Sequence, residues 1–219
     1  PFWSAGGLRL LSEEAFQTTI TFPHTINGGE ETTATLMTGT TPSYHGIMNS
    51  SYFSRAQRTH HDILHDDLAT GIGTKQQLSP HSILSPTITD DWRIIQGSDA
   101  KIYSIGLDPQ TTIMLAGHAA DACCWLDPVS LKWVTTSSYP DGLPTAADGM
   151  NMNGRNNELA ERLWTPRLDI SMYTSPNKDE KRRQFNYLPK DDILHTPTAN
   201  TLVIELALDM QKTEKLGED

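Results

Sequence analysis

The spacing of apolar positions changes several times along this chain, and each change predicts an element. Leu8, Leu11 and Ala15 recur at helical intervals, so residues 6–15 read as a short amphipathic helix. Residues 18–22 alternate instead and are rich in β-branched side chains, predicting a strand ended by Pro23. Asn27, Gly28 and Gly29 form a loop signal, with a helix expected over 32–37. Residues 55–78 are polar and carry Gly71 and Gly73, which makes them a loop-rich stretch. Ser85 then reads as an N-cap with Pro86 at the first helical position. Ile88, Trp92 and Ile95 share one face of that helix, and Gly97 stands where it should stop.

Further on, 101–107 reads as a strand and 112–116 as another structured apolar segment. Residues 122–126 and 132–137 flank Asp127-Pro128-Val129-Ser130, a hairpin signature. Residues 140–198 are rich in Pro, Asn, Asp and Lys, with one helical patch over 157–164. The last helix takes Asn200 as its cap, Leu202, Leu206 and Met210 as one face, Lys212 and Lys215 near its end, and Gly217 as its stop. Helices alternating with apolar strands imply an α/β fold: three α/β/α layers around a mainly parallel sheet, plus a β-hairpin. One domain over 1–219 is expected, with loop-rich excursions at 55–82 and 140–198.

Composition narrows the function classes. With 37% apolar and 20% charged residues among 219, the chain can bury a full core and is not disordered. No run approaches the roughly 18 apolar residues of a membrane span. The formal charge of −10 argues against a nucleic-acid backbone as partner. Lys181-Arg182-Arg183, the one basic cluster, is flanked by Asp179 and Glu180 and reads as a solvated loop. Cys123 and Cys124 are adjacent in an apolar stretch and read as small buried residues. No signal peptide is visible. Because the first residue is Pro1, the visible start is not expected to be the translated one.

The most informative run is 38–47, TGTTPSYHGI. Around it stand, in order, GGLRLL at 6–11, the strand at 101–107, AGHAADACCWLD at 116–127, WTP at 164–166 and the closing 200–219. Together these pieces resemble the alkaline phosphatase superfamily, in its type I phosphodiesterase/nucleotide pyrophosphatase branch, which includes the phosphate-irrepressible alkaline phosphatases. The resemblance covers nearly the whole chain and implies a sheet that is incomplete relative to the family.

It also implies a chemistry: hydrolysis of phosphate esters or phosphodiesters with two metal ions, usually zinc, roughly 4 Å apart. A threonine attacks phosphorus, and carboxylates and imidazoles hold the metals. The motifs carrying those ligands fall outside residues 1–219, so no zinc is expected on this chain alone. The family register puts Gly29 at the nucleophile position, where there is no oxygen. Thr32 or Thr33 takes that place only if the alignment slips by three or four residues; otherwise both are residues of a helix start. Asn49 or Ser50 stands where the family keeps an asparagine that holds phosphoryl oxygens. Asp108-Pro109-Gln110 replaces the basic pair of the monoesterases, which argues against monoester selectivity.

The expected function is thus a portion of a metal-dependent phosphoester or phosphodiester hydrolase, inactive by itself. The expected partners are a phosphoester small molecule and either the remainder of the domain or a second copy. The alternative is a non-catalytic phosphoester-binding or assembly module, a pseudo-phosphatase. Members of the family are commonly exported to the periplasm, the one indication of compartment. Independently, His61 and His65 would share a helix face at i and i+4, with Asp66 beside them. That set is a candidate metal cluster of its own; the competing reading is a solvated polar segment. His45 and His118 read as hydrogen-bonded structural histidines, and His24 lies within reach of the family site.

Overall fold

The computed structural model describes residues 8–25, 28–165, 168, 172 and 188–217. In chain order they form α1 (Leu8–Glu14), α2 (Gly29–Thr38), α3 (Pro42–His45), β1 (Ser51–Ser54), β2 (Thr59–Asp62) and β3 (Gly71–Ile72). Then come α4 (Ile88–Gln96), β4 (Tyr103–Gly106), α5 (Pro109–Ala116), β5 (Ala122–Asp127) and β6 (Lys132–Thr136). Three helices close the chain: α6 (Thr145–Met152), α7 (Arg155–Ala160) and α8 (Pro197–Thr213).

The layers follow from β5. Its side chains alternate between two interiors, because successive residues of a strand point to opposite faces. Cys123 and Trp125 join Ala34 of α2, Ile113 and Met114 of α5, and Val134 in one core. Cys124 and Leu126 join Trp133, Met150, Leu202, Leu206 and Met210 in the other. A strand buried on both faces requires helices on both sides of the sheet. Each fully buried Leu, Trp or Met contributes about 1.5–3 kcal/mol, so these two cores dominate stability.

The sheet order is β3-β6-β5-β4. The parallel arrangement holds for β4 and β5, with Tyr103 opposite Ala122. β6 runs antiparallel to β5 and β3 antiparallel to β6. For β5 and β6 the reason is local: Asp127 Oδ2 accepts from the backbone N–H of Ser130 at 2.8 Å and tightens a turn too short for a parallel crossover. β1 and β2 form a separate antiparallel hairpin.

Several sequence expectations are corrected. Residues 18–22 form no strand: Ile20 is exposed, and among the described residues no neighbouring strand accepts a ladder. The loop-rich stretch 55–78 contains β2, β3 and a bridge between His65 and Leu78. The cap of α4 is Thr87, not Ser85, because Asp90 Oδ2 accepts from Thr87 N at 2.8 Å and Thr87 Oγ1 from Asp90 N at 3.3 Å. The cap of α8 is Thr196, with Pro197 at the first helical position, rather than Asn200. The apolar segment 112–116 is part of helix α5, and 140–198 holds α6 and α7 where one helical patch was expected. Gly6, Gly7, Asn27, Pro166, Lys181, Arg182, Arg183 and the last two residues lie outside the described residues.

Candidate functional site

The run 38–47 folds as a helix stop, a turn and a second helix start. α2 ends on Gly39 at φ 65°, a left-handed conformation that glycine adopts without strain. Thr41 then caps α3, Pro42 takes its first turn, and Gly46 closes it at φ 81°. His45, fully buried, ties the two helices together. The backbone N–H of Ile47 donates to His45 Nδ1 at 3.1 Å, so that nitrogen carries no proton. The proton therefore sits on Nε2, which donates to Thr35 Oγ1 at 3.0 Å. Burial lowers the pKa of this imidazole, as does nearby His24, and both favour the neutral ring. His45 is a structural histidine holding α2 against α3.

At the other end of α2, Gly28 is the N-cap and Gly29 the first helical residue. A Cβ built on Gly29 meets no atom within 4 Å, so a side chain fits there. Thr32 Oγ1 donates to Gly28 O at 2.8 Å, and Thr33 Oγ1 to Gly29 O at 2.8 Å. Both hydroxyls are thus turned back onto the helix. Glu31 is buried at 1% exposure, and its Oε1 accepts from Gly28 N–H at 2.9 Å. With Glu30, it places two acidic residues in the first turn, where the helix dipole favours negative charge.

This helix start opens onto a cavity of about 430 Å³ lined by Pro23, His24, Glu31, Thr41, Ser43 and Met48, among others. His24 lies in the wall of this cavity. Both its ring nitrogens are buried without a hydrogen-bond partner among the described residues. Asn49 and Ser50 follow Met48 but are not among the described walls. Asn49 Oδ1 instead accepts from Ser50 N at 2.9 Å, so this pair is satisfied locally.

The polar cluster around residue 61 adopts no helix. His61 lies on β2, its ring stacked on Tyr52 at 5.7 Å and on His65 at 4.5 Å. Asp66 is engaged elsewhere: Ser79 Oγ donates to its Oδ2 at 2.6 Å and Leu68 N to its Oδ1 at 2.9 Å. The Ser79 hydrogen bond, ahead of the Leu68 one, holds the Asp66 carboxyl below the usual carboxylate range. His65 Nε2 pairs with Asp67 Oδ1 at 3.0 Å. Among the described residues no group of three or more His, Cys, Asp or Glu can hold a metal ion. The described residues therefore do not fit the two-metal centre that the resemblance implies.

Spacing alone gave no warning of a second cavity, about 1000 Å³, at the carboxyl ends of β4 and β5. Leu107, Asp108, Pro109, Trp125, Asp127 and Lys75 contribute to its wall. Open α/β sheets bind ligands at this end of their strands. Here the position after the β4 strand carries Asp108, whose Oδ2 caps α5 by accepting from Thr111 N at 2.7 Å. Asp108 is thus a helix-capping carboxylate in the wall of this cavity.

The described residues form a layered α/β/α scaffold around a mixed sheet. No protein-family model matches the chain. Curated relatives do. Over 234 residues and 97% of the chain it is 24% identical to alkaline phosphatase PhoV of Synechococcus elongatus. It is 26% identical over 194 residues, 78% of the chain, to alkaline phosphatase PafA of Elizabethkingia meningoseptica. It is 25% identical over 207 residues, 85% of the chain, to a protein named calcium-transporting ATPase from Myroides odoratus. The crystal structure of wild-type PafA superposes with a TM-score of 0.76 and 24% identity, covering 87% of this chain and 41% of that one. The chain is thus similar to alkaline phosphatases over most of its own length, and it spans 42%, 36% and 38% of the lengths of PhoV, PafA and the Myroides protein.

Proposed function

We propose that these 219 residues form part of one alkaline-phosphatase-like domain of a metal-dependent phosphoester or phosphodiester hydrolase. In this reading they supply the α2 start and the scaffold behind it, while the metal ligands, zinc-binding by resemblance, come from sequence these residues do not span. The observation that carries it is the α2–α3 arrangement, helix start beside a cavity and His45-locked turn, in a chain matched to two named alkaline phosphatases. The isolated chain is inactive in this reading, and the substrate is a small phosphoester. Export to the periplasm belongs to the same reading. The test is to express the longer gene product with zinc and assay p-nitrophenyl phosphate and bis-p-nitrophenyl phosphate. Turnover of either supports the proposal, and none by the folded, metal-loaded protein overturns it.

A second reading is favoured by one specific observation. Gly29 offers no nucleophile, the Thr32 and Thr33 hydroxyls are engaged with backbone carbonyls, and Glu31 sits buried at the helix start. On this reading the protein is a non-catalytic phosphoester-binding or assembly module. Gly29→Thr in the longer gene product separates the two. The open space at this position admits the side chain without strain. Activity gained only in the variant supports the pseudo-phosphatase. Equal activity in both forms means that the attacking oxygen lies elsewhere, with Thr32 and Thr33 the first to replace.

A further inference from the structure

One peptide unit, between Ile83 and Leu84, is bonded at each end to a histidine residue. Its carbonyl, Ile83 O, lies 2.9 Å from His118 Nε2. Its N–H, on Leu84, donates to His45 O at 3.1 Å. A trans peptide is planar and turns as one body, so a change at either bond is felt at the other. Gly46 shows how closely the end of α3 is pressed against this segment. A Cβ there would stand 3.0 Å from Leu84 Cδ1 and 3.3 Å from Ser82 O. His45 carries the contact inward, its ring held by Ile47 N–H on one side and Thr35 Oγ1 on the other. Pro42 and Ser43 of α3, and Met48 beyond it, form part of the wall of the cavity of about 430 Å³.

The His118 ring spans this peptide and Asp90. Its Nδ1 lies 2.8 Å from Asp90 Oδ2, so it satisfies both acceptors only when both nitrogens carry protons. The side chain is 38% exposed, which lets a proton leave to water. Charge decides which proton leaves. A bare Nδ1 would face an ionised carboxylate, whereas a bare Nε2 faces only a neutral carbonyl. Asp90 stays ionised because Thr87 N, Thr87 Oγ1, His118 N and Ala119 N also donate to it. Losing the Nε2 proton therefore leaves two acceptors opposed at Ile83 O, an unmade hydrogen bond in a buried residue. The neighbouring charges on the packed elements are already engaged. Arg93 of α4 donates to Ala119 O at 3.1 Å and Ala100 O at 2.6 Å, and pairs with Asp121, ahead of β5, at 2.6 Å. His81, the other histidine of the 80–84 segment, is exposed.

We propose that His118 is a pH-sensitive clamp on the α2–α3 site. Charged, it holds the Ile83–Leu84 peptide and, through His45 O, the α3 wall of the cavity; neutral, it releases both. Histidine is the side chain whose charge changes nearest neutral pH. The Asp90 hydrogen bond raises the His118 pKa from its ordinary 6.5, so release falls on the alkaline side of that value. The clamp acts on the cavity wall whatever fills the cavity, and it is measured without any turnover.

The experiment is a pH titration of the 219-residue chain by NMR, following the His118 ring and the amides of Leu84, Ser43 and Ile47. The three amides are expected to shift together, with the midpoint of the His118 ring and above pH 6.5. Amides that stay flat while His118 titrates overturn the clamp. In His118→Gln that shared transition should vanish, while any response to His81 remains; its persistence in the folded variant overturns the proposal. Leu84→Pro removes the N–H that reaches His45, and Ile83 already has the extended backbone that precedes proline, φ −83° and ψ 105°. The Ser43 and Ile47 responses should then be lost while the His118 midpoint is kept. Responses that survive in folded Leu84→Pro show a through-space field instead of a clamp and overturn it. Should Leu84→Pro not fold, His118→Gln decides alone.

Discussion

Replacing Asp90 by asparagine should unfasten the junction between α4 and the segment entering β5. Asp90 is 7% exposed and accepts five hydrogen bonds: Thr87 N at 2.8 Å, Thr87 Oγ1 at 2.9 Å, His118 N at 2.7 Å, Ala119 N at 2.9 Å and His118 Nδ1 at 2.8 Å. His118 Nε2 lies 2.9 Å from Ile83 O, which can only accept, so both ring nitrogens donate and the imidazole is charged. Burial alone would raise the Asp90 pKa. The His118, Thr87 and Ala119 hydrogen bonds outweigh it and hold the carboxyl far below its ordinary range. The Asp90 bond in turn raises the His118 pKa against the pull of burial. In the asparagine variant Oδ1 still serves His118 N and Ala119 N, but an NH₂ group faces the Thr87 and His118 donors. Removing one partner of a buried pair costs about 3–5 kcal/mol. The His118 side chain is 38% exposed, so water recovers part of that and the lower end, about 3 kcal/mol, applies. At about 2–4 °C per kcal/mol for a chain of this size, Tm should fall by roughly 6–12 °C.

The pH dependence has a definite sign. A raised histidine pKa stabilises fully below the unfolded value of about 6.5 and loses its effect as pH climbs through the folded value. A depressed carboxylate pKa stabilises fully above about 4 and loses its effect as pH falls towards the folded value. The gap between wild type and Asp90→Asn is therefore widest between about pH 4 and 6.5. Urea unfolding followed by tryptophan fluorescence at pH 5.5 and 9 measures it. A gap under about 1 kcal/mol at pH 5.5, or one that does not narrow by pH 9, refutes the charged pair.

Gly117→Ala attacks the same junction from the backbone side. Gly117 has φ 70° and a Cβ there would collide with Thr87 Oγ1, so a loss of about 1–3 kcal/mol is expected in the same urea assay. Burial pushes the Cys124 thiol up to about 12 and the Cys123 thiol well above its ordinary value. Neither should react with Ellman's reagent at pH 8 in the folded protein, and both should react in denaturant. Glu31→Gln keeps an acceptor for Gly28 N–H while removing a charge from the start of α2. Inorganic phosphate should then bind more tightly by calorimetry, and unchanged affinity would show that the helix start is not an anion site.

The legible parts of the fold were those where one strand or helix had a one-sided physical reason. Residues 122–126 are apolar throughout because both faces are buried, and the turn at 127–130 announced itself by Asp, Pro and Ser. Leu202, Leu206 and Met210 recur because α8 closes one face of the sheet. Failures fell where tertiary context decides. Residues 18–22 have strand composition but no neighbour to pair with among the described residues. Ser85-Pro86 and Asn200 imitate caps, yet Thr87 wins because Asp90 completes its box, and Thr196 wins because Pro197 fixes the first turn. The His61 and His65 spacing suggested a helix, but pairing with β1 drew His61 into a strand.

At the candidate site the sequence located the place more surely than the chemistry. Glycine at 39 and 46 marks obligatory left-handed stops, so TGTTPSYHGI dictates a local shape whatever the protein does with it. What happens at the start of α2 depends instead on residues whose roles no local rule fixes. A phosphoryl group bound there would sit beside Glu31, buried and already bonded to Gly28. Two negative groups at one helix start oppose each other unless a cation stands between them. Either sequence that these residues do not span brings that cation, as the hydrolase reading requires, or the carboxylate takes the anion's place and the scaffold outlives its reaction. The same geometry serves both, and for that reason the charge at position 31, rather than the missing hydroxyl at position 29, is the sharper discriminator.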